Sequence, residues 1–356
     1  MKVLITGVCG FVGSSIAHAL LDYDSSLSII GLDNFIRPGS EMNRAPLKSR
    51  GVKVFHGDIR CQSDFEMIPP TDWVIDAAAN PSVLAGVDGE TSSRQLIEHN
   101  LVGTINMLEY CKRVRPGFIL ISTSRVYSIP LLSTLPVEVV DRAYRPRFDG
   151  LSVTGLSREG ISEDFSTVPP ASLYGTTKFA SENLALEYAD AFDFPVWVNR
   201  CGVLAGAGQF GRADQGIFAF WINSYLQKRP LKYIGFGGMG YQVRDCFHPR
   251  DLAEMLWKQM SAAKSSANRL QNLSGGVESA TSLARLSDWC AERFGGHEVA
   301  RDSTPRPFDI PWMVLDSTRA EEQWGWTPSM KIGQILEEIA RHAEKHPHWL
   351  EISASL

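Results

Sequence analysis

Lys2-Val3-Leu4-Ile5-Thr6-Gly7-Val8-Cys9-Gly10-Phe11-Val12-Gly13 decides the fold. Its first five residues form a short apolar, β-branched run, as expected of a strand buried on both faces. Three glycines follow, spaced to allow a tight turn and a close backbone approach to a pyrophosphate. Ser14-Ser15-Ile16-Ala17-His18-Ala19-Leu20-Leu21 then takes up helical periodicity, so that the turn feeds a helix N-terminus, where anions are favoured. Ser28-Ile29-Ile30-Gly31-Leu32 reads as a second strand, and it ends in Asp33, whose carboxylate can accept both hydroxyls of an adenosine ribose. Outward from here, candidate strands fall at 2–6, 28–33, 52–56, 73–77, 118–122 and 195–201, with room for crossover helices between them. This alternation predicts an α/β fold, a doubly wound parallel sheet with helices on both faces and ligands at the carboxyl ends of its strands.

A second signal lies in Ser172-Leu173-Tyr174-Gly175-Thr176-Thr177-Lys178, read with Ile121-Ser122-Thr123-Ser124. Tyr174 and Lys178 are spaced i, i+4 and share one face of a helix. A neighbouring ammonium favours the phenolate, and a phenol so tuned can take a proton from a sugar hydroxyl while a cofactor takes the hydride. Alone, the pair reads as two solvated side chains; the glycine turn and Asp33 give it its meaning.

Together these residues resemble the extended short-chain dehydrogenase/reductase family, in its nucleotide-sugar epimerase and dehydratase branch. The resemblance runs from Met1 to at least Asp251 and implies a Rossmann-type sheet, bound NAD and a catalytic set of Thr123, Tyr174 and Lys178. It implies cofactor contacts from Gly7, Gly10, Phe11, Val12, Gly13, Asp33 and Asn34. Asp58 and Ile59 would lie at the adenine side and Ala77, Ala78 and Ala79 after the fourth strand; Asn100, Tyr174 and Lys178 complete that set. In the branch's 4,6-dehydratases an Asp-Glu pair follows the catalytic threonine and supplies the acid and base that expel water. Ser124-Arg125 stand there in this chain, which argues against dehydration.

The residues after 202 point to a substrate lobe. Gln209-Phe210, Gln215-Gly216 and Gln242-Val243-Arg244-Asp245 are similar to a subfamily, the CDP-paratose 2-epimerases (CDP-tyvelose epimerases). So are Asp33-Asn34-Phe35-Ile36-Arg37-Pro38-Gly39 and His56-Gly57-Asp58-Ile59-Arg60. The match implies substrate contacts from Ser124, Arg125, Gln209, Gln215 and Arg244, with the arginine gripping the diphosphate. Arg200-Cys201-Gly202-Val203-Leu204-Ala205-Gly206 and Asn80-Pro81-Ser82-Val83 depart from it, in regions expected to face the sugar. The expected reaction is epimerisation of a nucleotide-diphosphate sugar, a CDP-hexose foremost, through a transient ketone; a UDP-sugar 4-epimerase and a nucleotide-sugar reductase or dehydrogenase are the alternatives.

Composition fits a globular enzyme of two lobes: 356 residues, 44% hydrophobic and 21% charged. We assign 1–202 to an NAD-binding domain and 203–356 mainly to a discontinuous substrate lobe, with a return strand near 270–276. The long segment 125–170 reads as a binding element or lid. A net charge of −5 leaves no electrostatic footprint for nucleic acid. Six cysteines lack Cys-x-x-Cys spacing, so neither a metal site nor a disulfide framework is expected. With no membrane span or signal segment in view, a cytoplasmic protein is expected. The branch implies a homodimer through the Tyr174 helix, at positions such as Phe179, Ala180, Leu184 and Ala185, and through the helix after Asn100.

Overall fold

The computed structural model describes all residues except 88, 90, 91, 214, 263–267, 355 and 356. Seven strands form the central sheet: β1 (Lys2–Thr6), β2 (Ser28–Asp33), β3 (Lys53–His56), β4 (Trp73–Asp76), β5 (Gly117–Thr123), β6 (Val196–Cys201) and β7 (Leu270–Leu273). All pair in parallel, in the order β7-β6-β5-β4-β1-β2-β3. The chain reverses direction across the sheet between β1 and β4, and such a switch opens a crevice at the carboxyl ends of the strands.

Helices close both faces. Alternate β1 residues point opposite ways, Val3 and Ile5 into one core and Leu4 into the other. On the first face α1 (Phe11–Tyr23) and α4 (Pro249–Ser261) bring Ile16, Leu20, Leu252 and Leu256 onto the sheet. On the second, α2 (Gly103–Val114) and α3 (Ser172–Phe192) bring Met107, Leu108, Ala185 and Ala189. Ala185, one of the positions expected at a dimer contact, is therefore core within the single chain.

The chain beyond residue 202 is split between two tasks. It returns α4 and β7 to the sheet, and β7 falls where a return strand is expected. The remainder builds the second lobe, in which Trp221, Ile222, Leu286, Ile335 and Ile339 form a separate apolar core. Its strand Val243–Phe247 pairs with Val203–Leu204, Ala280–Ser282 and Trp312–Met313. Segment 125–170 carries an antiparallel hairpin, Val137–Val140 with Ala143–Pro146. Its Tyr127, Ile161 and Phe165 pack against Val314 and Leu315 of the lobe. Arg142, Arg145 and Arg158 of this segment sit in exposed pairs with Asp288, Glu138 and Asp149, a solvated role.

Candidate active site

A cavity of about 710 Å3 runs from the glycine turn to the second lobe. Gly7 adopts φ +64°, and a Cβ there would meet Ala78 Cα at 2.9 Å. A Cβ on Gly13 would approach the Gly7 carbonyl oxygen to 2.2 Å, so only glycine lets α1 start this close to the turn. Gly10 caps α1 with no side-chain hydrogen bond. The first N–H groups of the helix thus face a cradle suited to a diphosphate. At the end of β2, Asp33 lines the same cavity, accepting Cys9 N–H on Oδ2 and Phe35 N–H on Oδ1, both at 2.8 Å. Each carboxylate oxygen keeps a lone pair for a ribose hydroxyl. Burial raises the Asp33 pKa, against the pull of these backbone donors.

Phe11, Val12, Asn34, Ile59, Ala77, Ala78 and Ala79 also line the cavity, and three further residues expected to touch the cofactor are buried or half-buried. Asp58 gives its carboxylate to Asn34 Nδ2 (2.9 Å) and Arg60 (2.6 Å), and so braces Asn34. Asn100 lies in a π-helical turn (Glu98–Val102), where its amide exchanges two hydrogen bonds with the Asn80 backbone. The third, Lys178, is buried one turn below Tyr174.

At the far end of β5 the cavity gathers Thr123, Ser124, Arg125 and Tyr174. Tyr174 is only 8% exposed. Burial pushes its phenol up to about 12, while a hydrogen bond with Thr123 and the charge of Arg125 pull the other way. Burial lowers the Lys178 pKa, and the Asp76 and Glu182 carboxylates oppose that. Lys178 lies one turn along the same helix, with the Asp76 and Glu182 carboxylates among its charged neighbours. Glu182 in turn accepts Ser122 Oγ (2.5 Å) and Arg200 Nη2 (2.7 Å), and Arg200 lies over the Tyr127 ring. Tyr127 donates to Asn272 Oδ1 (2.7 Å), whose backbone N–H donates to Glu163 (2.6 Å).

The opposite wall is basic. Arg244 lies 17% exposed and pairs with Asp309 at 3.2 Å, while its Nη1 donates to the Val243 and Ile310 carbonyls. Gln209 donates to the Leu204 carbonyl, and Gln215 accepts Arg37 Nη1 at 2.9 Å. Arg37, which follows the ribose-side Asp33, also reaches the Phe210 carbonyl and joins the two lobes. Sequence reasoning missed Arg306 and Phe308, which line this wall with Asp309, and His99 on the other side. The signal available for the first was Pro305-Arg306-Pro307, an arginine held between prolines ahead of an aspartate.

With this geometry in place, the likeness to known proteins is specific. The sequence model of the NAD dependent epimerase/dehydratase family matches residues 3–273. The chain belongs to that family. It is 28% identical over 349 residues to a CDP-paratose 2-epimerase of Salmonella typhi, covering 93% of this chain and 95% of that protein. It is 29% identical over 364 residues to UDP-glucuronate 4-epimerase 1 of Arabidopsis thaliana, covering 96% and 76%. Among solved structures, the UDP-glucuronic acid 4-epimerase of Bacillus cereus, in complex with UDP-glucuronic acid and NAD, superposes with a TM-score of 0.77 at 25% identity, covering 97% and 99%. The protein is thus an NAD-dependent enzyme of the nucleotide-sugar epimerase and dehydratase type. Among the described residues no helix is long and apolar enough to cross a membrane, and no cluster of side chains could hold a metal ion.

Proposed function

We propose that the protein epimerises a nucleotide-diphosphate sugar, a CDP-hexose at carbon 2 being the first choice, with retained NAD and no net redox. The observation that carries this reading is the set of carboxylates in the cavity. Among the described residues that line it, only Asp33 and Asp309 are acidic; the first sits at the ribose end and the second is held by Arg244. Expulsion of water from a hexose needs a proton donor and a base beside the reacting carbons, and Ser124-Arg125 supply neither.

NAD, when bound, takes a hydride from the sugar carbon and returns it to the opposite face of the resulting ketone. In this reading Tyr174 removes the hydroxyl proton as that hydride leaves and gives it back on re-reduction. Thr123 hydrogen-bonds the same oxygen. Lys178, whose ammonium makes no hydrogen bond to protein among the described residues, is assigned to the nicotinamide ribose. Arg244 holds the diphosphate while the sugar turns, and Ser124, Gln209 and Gln215 line its path. The CDP preference rests on the long motif matches and the Salmonella relative. We also propose a homodimer through α2 and α3; a monomer by light scattering at micromolar concentration would remove it.

The test is to identify co-purifying nucleotides by mass spectrometry, then to incubate the dialysed enzyme with CDP-, UDP- and GDP-hexoses in deuterated water. The expected result is turnover without added cofactor, no deuterium at the inverted carbon, and loss of activity in Tyr174→Phe by about 10²–10⁴-fold. Stoichiometric NADH release would establish a dehydrogenase instead.

A further inference from the structure

We propose that the short helix Trp349–Ala354 sets how long NAD stays bound, by holding in place the strip of the second lobe on which Arg37 clasps the two lobes together. This rests on the reading that the cofactor is retained through turnover, and it assigns that retention to named contacts.

The clasp closes beside the cavity. Ile36, Arg37 and Ser40, in the loop after β2, line it together with Asp33, and Gln209, Phe210 and Gln215 line it from the second lobe. Arg37 Nη1 donates to Gln215 Oε1 at 2.9 Å and its Nη2 donates to the Phe210 carbonyl, so the two arms of one planar guanidinium cross the seam. Gly39, at φ +88°, lets the loop close on the Phe210 ring: a Cβ there would stand 2.8 Å from Phe210 Cε1 and 2.9 Å from Ile352 Cγ2. Each side of the seam also buries a polar atom that has no partner among the described residues, Ser40 Oγ on one and Gln209 Oε1 on the other. Such atoms are costly unless something bonds them, and a polar ligand enclosed by the clasp supplies what the protein does not.

The strip cannot hold itself. Residues 209–211 belong to no helix or strand, so their position depends on what they lean against. The Trp349 indole N–H donates to the Gln209 carbonyl at 2.8 Å, and its ring stacks on Phe210 with centroids 5.4 Å apart and planes 15° from parallel. Ser353 Oγ, shared with the Leu350 carbonyl, donates to the Gly211 carbonyl at 3.1 Å. The Ser353 carbonyl accepts Arg212 Nε at 3.1 Å. Gln209, Phe210, Gly211 and Arg212 are thus each fastened to one short helix, which Glu351 in turn ties to Arg229 at 2.7 Å. Trp349 and Ser353 are buried, which keeps water from competing for these bonds. The carbonyl that receives Arg37 lies in the middle of the strip, so a loosened helix is felt at the clasp.

The test measures release of NAD without sugar. NAD-loaded protein is mixed with ethanol and an excess of alcohol dehydrogenase, and the freed cofactor is read as NADH fluorescence. Arg37→Met is expected to release NAD about 10–100-fold faster than wild type. Arg37→Lys should recover part of the difference, since one ammonium lacks the fork that spans both acceptors. Trp349→Ala leaves the cavity-lining residues unchanged and should speed release by a comparable factor. Trp349→Phe should do less, because the stack survives and only the indole bond is lost. Arg37→Met with Trp349→Ala should be little faster than either alone, as both open the same clasp. Far-ultraviolet dichroism reports folding, and if Trp349→Ala does not fold, Trp349→Phe with Ser353→Ala makes the same comparison. Release at the wild-type rate in the helix variants overturns the proposal, as do effects that multiply in the double variant. Wild-type release as fast as that of Arg37→Met overturns it together with the retention reading. Net oxidation of the sugar, with the differences in release intact, would fell the epimerase reading and leave this one standing.

Discussion

Each oxygen of Asp33 already accepts one backbone N–H, which fixes the carboxylate against the glycine turn and leaves its remaining lone pairs facing the cavity. We propose that the NAD ribose, with two free hydroxyls, is held at this carboxylate, whereas a 2′-phosphate brings like charge and no donor. The guanidinium that could have relieved that repulsion, Arg37, is engaged with Gln215 and Phe210. NAD is therefore expected to bind at least about tenfold more tightly than NADP, a difference of ~1.4 kcal/mol, and Asp33→Ser to narrow it. Competitive titration of the apo-protein checks this, and equal affinity in the wild type would contradict it. Arg244 presents a second residue-scale case. In its proposed role at the diphosphate, replacement by alanine should cost about 1.5–3 kcal/mol of substrate binding. Arg244→Lys should recover only part, since an ammonium lacks the fork. Bound NAD should be unchanged, which a cofactor assay reports beside substrate affinity.

At the scale of elements, α3, β5, β6 and β7 are tied together under the active site by side chains remote in sequence. Glu182 of α3 and Arg200 of β6 are 1% and 4% exposed and bonded through both carboxylate oxygens. Replacing Arg200 by methionine strands a buried carboxylate, and we expect a loss of about 3–5 kcal/mol in denaturant unfolding. Arg200→Met with Glu182→Gln should regain a substantial part, because the orphaned charge is gone. An unchanged midpoint in the single variant would show that the pair contributes nothing net.

The elements themselves were largely legible. The expected strands 2–6 and 28–33 match β1 and β2 residue for residue, and 195–201 differs from β6 by one residue at its start. Buried parallel strands announce themselves as short β-branched runs between turns, and the glycine turn is a local device readable from spacing. What escaped was pairing between distant segments. Asn34 and Arg60 brace the Asp58 carboxylate and the Asn80 backbone braces the Asn100 amide, and spacing along the chain does not show these contacts. Nor does helix spacing reveal that Asp76, 102 positions away on β4, acts on the Lys178 charge. Arg306 carries a local mark, its place between two prolines, but the wall it joins is set by the packing of distant segments.

For the whole molecule, β7 has a consequence in the order of manufacture. The strand lies beside β6, yet about seventy residues, part of the second lobe and then α4, are translated between them. On the ribosome, the nucleotide-binding half must wait with β6 as an open edge, and the α1 face of its sheet unshielded by α4, until the chain has passed residue 273. Such an edge offers unpaired N–H and C=O groups to any passing strand. A fragment ending at residue 202 is therefore expected to aggregate, and one carried through residue 273 to remain dispersed longer, as sedimentation of the two translated side by side would show. Equal solubility would mean that the first half closes without help. If the order holds, the cofactor domain is the first to be begun but cannot close until most of the chain has been made, so that a ribosome stalled before residue 273 leaves its sheet open.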